Sequence, residues 1–304
     1  MKIFKRIFLF LITNIAIIFL IWVIIFVLER YLWINISPNM ESWITPLLVF
    51  SAIYWFSWAF ISLAISRWVA KKIYSIEIIQ ESEIHKYPSK IQYLFFKTKE
   101  FANQKWIKMP EFGIYESSDA NAFATWPSKN KSLVAFSSGI IWVMDQNELE
   151  WVLAHEMSHI VNWDMVTLTL VQWIINTFVI FLARVIAYFI DMALNKDEDW
   201  NISWIAYHLV VIVLEIVFSI LASIVVMAYS RKREFSADKD SAFFTPKQNM
   251  IKALKKLKQL SFEKENFKDD SLAAFMISWK KSYLSIFSSH PDLDTRIEKL
   301  ENMI

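Results

Sequence analysis

The apolar residues of this chain gather into long runs instead of recurring at amphipathic spacing. Four stretches, Ile7–Leu28, Pro46–Ser66, Val166–Leu194 and Ile202–Tyr229, each reach the roughly 20 predominantly apolar residues that cross a bilayer as a helix. The first two carry no charge. The third holds Thr167, Thr169, Gln172, Asn176 and Arg184, and the fourth His208 and Glu215, which predicts that both lie partly against protein. Glu215 itself reads first as a polar contact within the bundle and only second as a catalytic group. The run Ile7–Leu28 is too long for the core of a secretion signal and no small-residue cleavage site follows it, so it reads as a retained anchor.

Between the second and third runs the pattern changes to short alternations. Lys90–Gln104 has the spacing of an amphipathic helix. Glu111–Tyr115, Ala122–Thr125 and Ser132–Ser137 are separated by Ser, Asp, Asn and Lys turns and predict a small antiparallel sheet. Asp145, with Glu148 three residues on, has capping-box spacing and starts a helix that runs through residue 159. Lys252–Lys258 is basic and amphipathic, the pattern of a solvated face beside an anionic leaflet. The expected division is 1–72, two membrane helices; 73–165, a soluble domain that ends in the helix through residue 159; 166–229, two further membrane or membrane-associated helices; and 230–304, a helical part of the same soluble domain.

Charge adds an orientation. Lys2, Lys5 and Arg6 precede the first run, Arg67, Lys71 and Lys72 follow the second, and Arg231, Lys232 and Arg233 follow the fourth, whereas Asp191–Asp199 is mainly acidic. Basic flanks stay inside, so both termini and the central domain are expected on the cytoplasmic side of a multi-pass protein of the cell membrane. With 32 basic against 30 acidic residues, the net charge of +2 gives no field that would recruit nucleic acid. The absence of cysteine excludes a disulfide framework, a thiolate nucleophile and a Cys-type zinc site, leaving His and carboxylate as metal ligands.

The chemistry-bearing segment is His155-Glu156-Met157-Ser158-His159. Two histidines four residues apart project from one helical face and reach one ion. Glu156, turned by about 100° on the helix, addresses a water instead of the ion, the position of a general base in peptide hydrolysis. A surface helix with two incidental histidines is the plain alternative, and the chain's 5 histidines and the apolar neighbours Val152, Leu153, Ala154 and Ile160 argue against it. A catalytic zinc site needs a third protein ligand. Glu234, just after the fourth run, is the candidate, with Asp238 one turn later placed to bond the free nitrogen of a ligating histidine. From spacing alone, an ordinary juxtamembrane charge cluster fits these two residues about as well.

Four segments carry a resemblance: Asn121–Thr125, Ala154–His159 continuing through Asp164–Thr167, Ser230–Asp238, and His290–Ile297. They resemble the HtpX-type membrane metalloproteases, relatives of the CAAX prenyl proteases, over nearly the whole chain. The resemblance implies that His155, His159 and Glu234 hold one zinc ion per subunit and that Glu156 is the general base. It also implies that the substrates are membrane proteins or unfolded polypeptides damaged under stress. Asn121, Ala122, Phe123, Ala124 and Thr125 would form an edge strand that pairs with an extended substrate. His290 and Arg296 would lie near the cleft and stabilise the developing oxyanion, although a loop residue and a surface charge read equally well from sequence. The expected fold is a mainly α membrane protein with four transmembrane helices and a zincin-like α+β metalloprotease domain. Its alternative is a catalytically idle zinc-binding scaffold or chaperone-like module on the same fold. A transporter would need paired broken helices or repeat symmetry, and neither is found.

Glycine occurs 2 times and tryptophan 15 times, whereas average usage near 7% would give roughly twenty glycines. The family resemblance places glycine at Trp106, Trp126, Trp163, Trp173 and Trp279, while Trp68 stands where tryptophan is expected. This selectivity is accounted for if UGA codons mean glycine in the source cell and are rendered here as tryptophan. UGG codons at these positions would exclude it.

Overall fold

The computed structural model describes residues 38–126, 128–194, 204–266 and 291–302. The run Ile7–Leu28, the cluster Lys2, Lys5 and Arg6, residues 195–199 of the acidic segment, Trp279 and His290 lie outside the described residues. In chain order the elements are α1 (Pro38–Ile73), β1 (Glu77–Ile78), a 3-10 turn (Glu81–Lys86), α2 (Ser89–Gln104), β2 (Glu111–Tyr115), β3 (Ala122–Thr125), β4 (Leu133–Ser137), α3 (Ser138–Val143), α4 (Gln146–Asn162), α5 (Asp164–Leu194), α6 (Trp204–Ser241), α7 (Lys247–Asn266) and α8 (Leu293–Glu301). The chain is mainly helical.

The four strands form one sheet in the order β1-β2-β4-β3. The expectation of an all-antiparallel sheet is corrected here: β4 pairs antiparallel with β3 but parallel with β2. Sequence neighbours β2 and β3 do not pair because the loop between them is bound across the β4–α3 junction. Gly139 N–H donates to Ser117 O at 2.8 Å, and the Ser137 hydroxyl donates to Asp119 O at 2.6 Å and accepts from Asn121 N–H at 3.0 Å. A Cβ on residue 139 would meet Ser118 O at 2.6 Å, so this crossing requires glycine. The loop thus carries β3 past a slot that β4 fills, leaving β3 at the sheet edge.

The chain divides into two compact units, one holding the described residues of Met1–Ser57 and Trp173–Ser219, the other those of Trp58–Gln172 and Ile220–Ile304. In the second unit, α4 is buried on almost every side. Leu149, Leu153, Ala154, Met157 and Ile160 pack in one core with Leu94, Phe95 and Phe101 of α2, Phe136 of β4, Met250 and Leu254 of α7, and Ile297 and Leu300 of α8. The capping box forms as expected: Asp145 accepts from Glu148 N–H, and the Glu148 carboxylate accepts from Asp145 N–H, each at 2.8 Å. Such a cap fixes where α4 starts, and with it the register of both histidines.

Among the described residues, two helical stretches have the length and composition to cross a membrane, Asp164–Ala193 and Ala206–Ser241. On α6 the residues Leu209, Ile212, Val213, Ile216, Val217, Ile220, Leu221 and Val225 are all exposed, a continuous apolar strip that water would not tolerate and lipid would. Within the first unit, Arg184 of α5 donates to Glu215 of α6 at 2.7 Å, the bundle contact expected for that carboxylate. The predicted run Pro46–Ser66 lies within α1.

Trp106 and Trp163 have φ of 54° and 60°. This left-handed region costs an ordinary side chain about 1–2 kcal/mol and costs glycine nothing comparable. Trp126 is buried, and Trp173 donates its indole N–H to Ala52 O at 2.8 Å within the first unit.

Candidate metal centre

His155 and His159 lie one turn apart on the same face of α4, with Nε2 atoms 3.2 Å from each other. Glu234 of α6 faces them both, its carboxylate oxygens 3.4 Å from His155 Nε2 and 3.4 Å from His159 Nε2. Three donor atoms, one from each residue, lie within 4.8 Å of one another, and all three residues are buried. The sequence reading named these three residues, and the fold brings them together.

Each imidazole is held from behind. His155 Nδ1 lies 3.0 Å from Asp238 Oδ1, one turn beyond Glu234 on α6. His159 Nδ1 lies 2.7 Å from Asp164 Oδ2. Asp238 was anticipated from its spacing; Asp164 was not. Its signal was available in the helix break at residue 163. Trp163, left-handed, closes α4 with its N–H on His159 O and Ile160 O, and α5 starts on the next residue. That reversal turns Asp164 back toward the histidine five positions earlier. Arg233 fixes the junction by donating to Asp164 O at 2.7 Å.

A carboxylate beside each Nδ1, hydrogen-bonded at His159 and 3.0 Å away without hydrogen-bond geometry at His155, favours the proton on that nitrogen and turns both Nε2 atoms toward each other and toward Glu234. That array is repulsive unless a cation lies at its centre. A tetrahedral ion bound at about 2.0–2.1 Å requires ligand–ligand edges of about 3.3–3.4 Å; the two Nε2 atoms are 3.2 Å apart, and each Glu234 oxygen lies 3.4 Å from one of them, Oε2 from His155 and Oε1 from His159. The donors therefore fit a small divalent ion. Electrostatics agree. Burial pulls His159 down, but Asp164 and Glu234 outweigh it and push it up to about 10; burial likewise lowers His155, and Asp238 and Glu234 raise it above its ordinary value.

Glu156, half-buried on the same helix, sits in the field of both imidazoles. Burial lifts its carboxyl above the usual range, while His159, His155 and a backbone contact from Ala124 pull the other way. Ala124 belongs to β3, an edge strand among the described residues, as the sequence reading expected for Asn121–Thr125. Asn121 itself precedes the strand, with its carbonyl accepting from Ser137 N–H at 2.9 Å. Arg296 is buried against Asp238, to which it donates twice.

The sequence pattern of peptidase family M48 matches residues 88–304, a span that contains every residue of this cluster. The chain belongs to peptidase family M48. Among curated relatives, it is 44% identical to a "Protease HtpX homolog" of Methylacidiphilum infernorum, covering 99% of each chain. It is 46% identical to "Protease HtpX" of Shewanella piezotolerans, covering 97% of this chain and 99% of that one. Among solved structures, S. mikatae Ste24p superposes with a TM-score of 0.61 at 17% identity, over 92% of this chain and 66% of that one, a likeness of fold alone. Membership of M48, the buried cluster and the apolar helices together make this protein a membrane metalloprotease.

Proposed function

We propose that the chain is a zinc-dependent endopeptidase that degrades damaged or misfolded membrane proteins and unfolded polypeptides in stress quality control. The observation that carries this reading is the convergence of His155, His159 and Glu234 beside Glu156. His155, His159 and Glu234 would hold one ion, and an all-N/O donor set suits zinc. Zinc bound there would polarise a scissile carbonyl and lower the pKa of a water toward about 7.

The remaining steps fall to the protein's own groups. Glu156, made more basic by burial, takes a proton from the attacking water and passes it to the leaving amine. Asp164 and Asp238 keep both Nε2 lone pairs directed inward. The edge of β3, unpaired with another strand among the described residues, offers backbone groups to an extended polypeptide, a mode that gives affinity with little sequence preference and suits varied substrates. The architecture we propose is a zincin-like α+β domain, drawn from 73–165 and 230–304, on four transmembrane helices, two in 1–72 and two in 166–229. Basic flanks support a cytoplasmic catalytic domain and cytoplasmic termini in a multi-pass protein of the cell membrane.

The test compares the parent with Glu156→Gln and Glu234→Ala in detergent. Glu156→Gln keeps one zinc per chain while cleavage of an unfolded membrane protein falls by about 10²–10⁴-fold. Glu234→Ala loses zinc and cleavage together. Unchanged zinc binding in Glu234→Ala removes the third ligand, and equal disappearance of substrate with parent and Glu156→Gln leaves a binding module instead of an enzyme.

A further inference from the structure

Arg296 lies on α8, 58 residues from Asp238, and its side chain is only 7% exposed. Burying a guanidinium is costly unless every face of it is used. Here Nε donates to Asp238 Oδ2 at 2.8 Å and Nη2 to Asp238 Oδ1 at 2.6 Å, a two-bond fork that fixes the plane of the carboxylate. Nη1 points toward Glu234, 3.8 Å from Oε2, and the group's face lies over the Trp151 ring. The guanidinium is thus spent on protein.

Asp238 Oδ1, gripped by Arg296 on one side, is the atom that faces His155 Nδ1 at 3.0 Å on the other. A single buried carboxylate between a histidine and a second carboxylate has no reason of its own to hold that angle. Glu234, one turn away on α6, repels it, and rotation of the Asp238 side chain would release His155. The fork removes that rotation.

We infer that Arg296 is a positioning residue for the metal centre: it clamps Asp238 so that Asp238 fixes the ring orientation and tautomer of His155. This rests on the metal-site reading above and replaces the cleft-facing role suggested by family resemblance. The relay runs from α8 through α6 to α4, and its output is ligand geometry.

The experiment measures zinc affinity of the full chain in detergent, by competition with a chromophoric chelator, for the parent, Arg296→Gln, Asp238→Asn and the double variant. Arg296→Gln and Asp238→Asn each weaken zinc about 10- to 100-fold, and the double variant is no weaker than the worse single because both act through one contact. Arg296→Lys, which keeps the charge but not the fork, falls between parent and Arg296→Gln. Melting of the metal-free forms identifies any variant that does not fold. Should a single fail in this way, Arg296→Lys and the charge-neutral double variant carry the comparison: Lys still weaker than parent, and the double no weaker than about 100-fold, support the clamp. Parental zinc affinity in Arg296→Gln or Arg296→Lys overturns it, as do losses that multiply in the double variant or a fall in kcat with zinc affinity intact. A parent that binds no zinc refutes instead the metal-site reading.

Discussion

Asp164 Oδ2 lies 2.7 Å from His159 Nδ1, reaching it across the one left-handed residue that separates α4 from α5. The proton on Nδ1 is thereby fixed, and Nε2 is left as a lone pair aimed at His155 and Glu234. Asp164→Asn keeps the shape but allows its amide NH₂ to face Nδ1, favouring the wrong tautomer. Zinc affinity is expected to fall about 10- to 100-fold, read by chelator competition, with the metal-free melting temperature little changed.

Stability of the metal-free chain should depend on pH through the same groups. His159 titrates near 6.5 when unfolded and at about 10 when folded, and His155 and Glu156 are shifted upward too. The folded state therefore binds more protons than the unfolded one; the His159 contribution is fully present below about pH 6.5 and is lost as pH rises toward 10, and that of Glu156 is already falling above about pH 4.5, in the same direction. Chelator-treated protein should melt at a lower temperature at pH 9 than at pH 6, and His159→Gln should flatten the difference. A metal-free chain that melts higher at pH 9 contradicts the arrangement.

Residue 163 offers a direct test of the tryptophan anomaly. Trp163→Gly should raise stability by about 1–2 kcal/mol, since glycine enters the left-handed region freely and Trp does not; Trp163→Ala should gain much less. Denaturant unfolding checks both. The protein made in its own cell should show glycine at residues 106, 126, 163, 173 and 279 by peptide mass, and UGG codons at those positions would refute the idea.

Arg184 and Glu215 form an ion pair between two apolar helices. Glu215→Leu strands a guanidinium where lipid is the solvent and should cost about 2.5–3.5 kcal/mol. Removing both charges as Arg184→Leu with Glu215→Leu should recover most of it, as measured by unfolding in mixed micelles. Equal loss in the single and the double variant would show that the pair carries no mutual stabilisation.

Much of this was legible before any coordinates. The histidine pair, its capping box and the amphipathic α2 are local patterns with periods of three and four residues, and each forms where its pattern lies. Glu234 and Asp238 were candidates because the helix that carries them continues from an apolar run and keeps both on one face, and the resemblance chose them over an ordinary charge cluster. The parallel β2–β4 pairing was not, because it depends on a loop bound to Ser137 and Gly139, and no strand announces which neighbour it will accept. The resemblance placed Arg296 near the cleft, but its burial against Asp238 was not legible. Its partner is 58 residues away, and nothing in its own surroundings marks it as buried.

The left-handed junction at residue 163 also divides the assembly of the site in time. Orientation of His159 requires only the five residues to Asp164 and one turn of chain, so its entropic cost of closure is small. Orientation of His155 waits for α6 to deliver Asp238 and for α8 to deliver Arg296 across a further 58 residues. During synthesis, one ligand can be aligned as soon as α5 begins, whereas the other is aligned only when the last described helix has been made. The order of the elements along the chain thus delays a competent metal centre until α8 has been made.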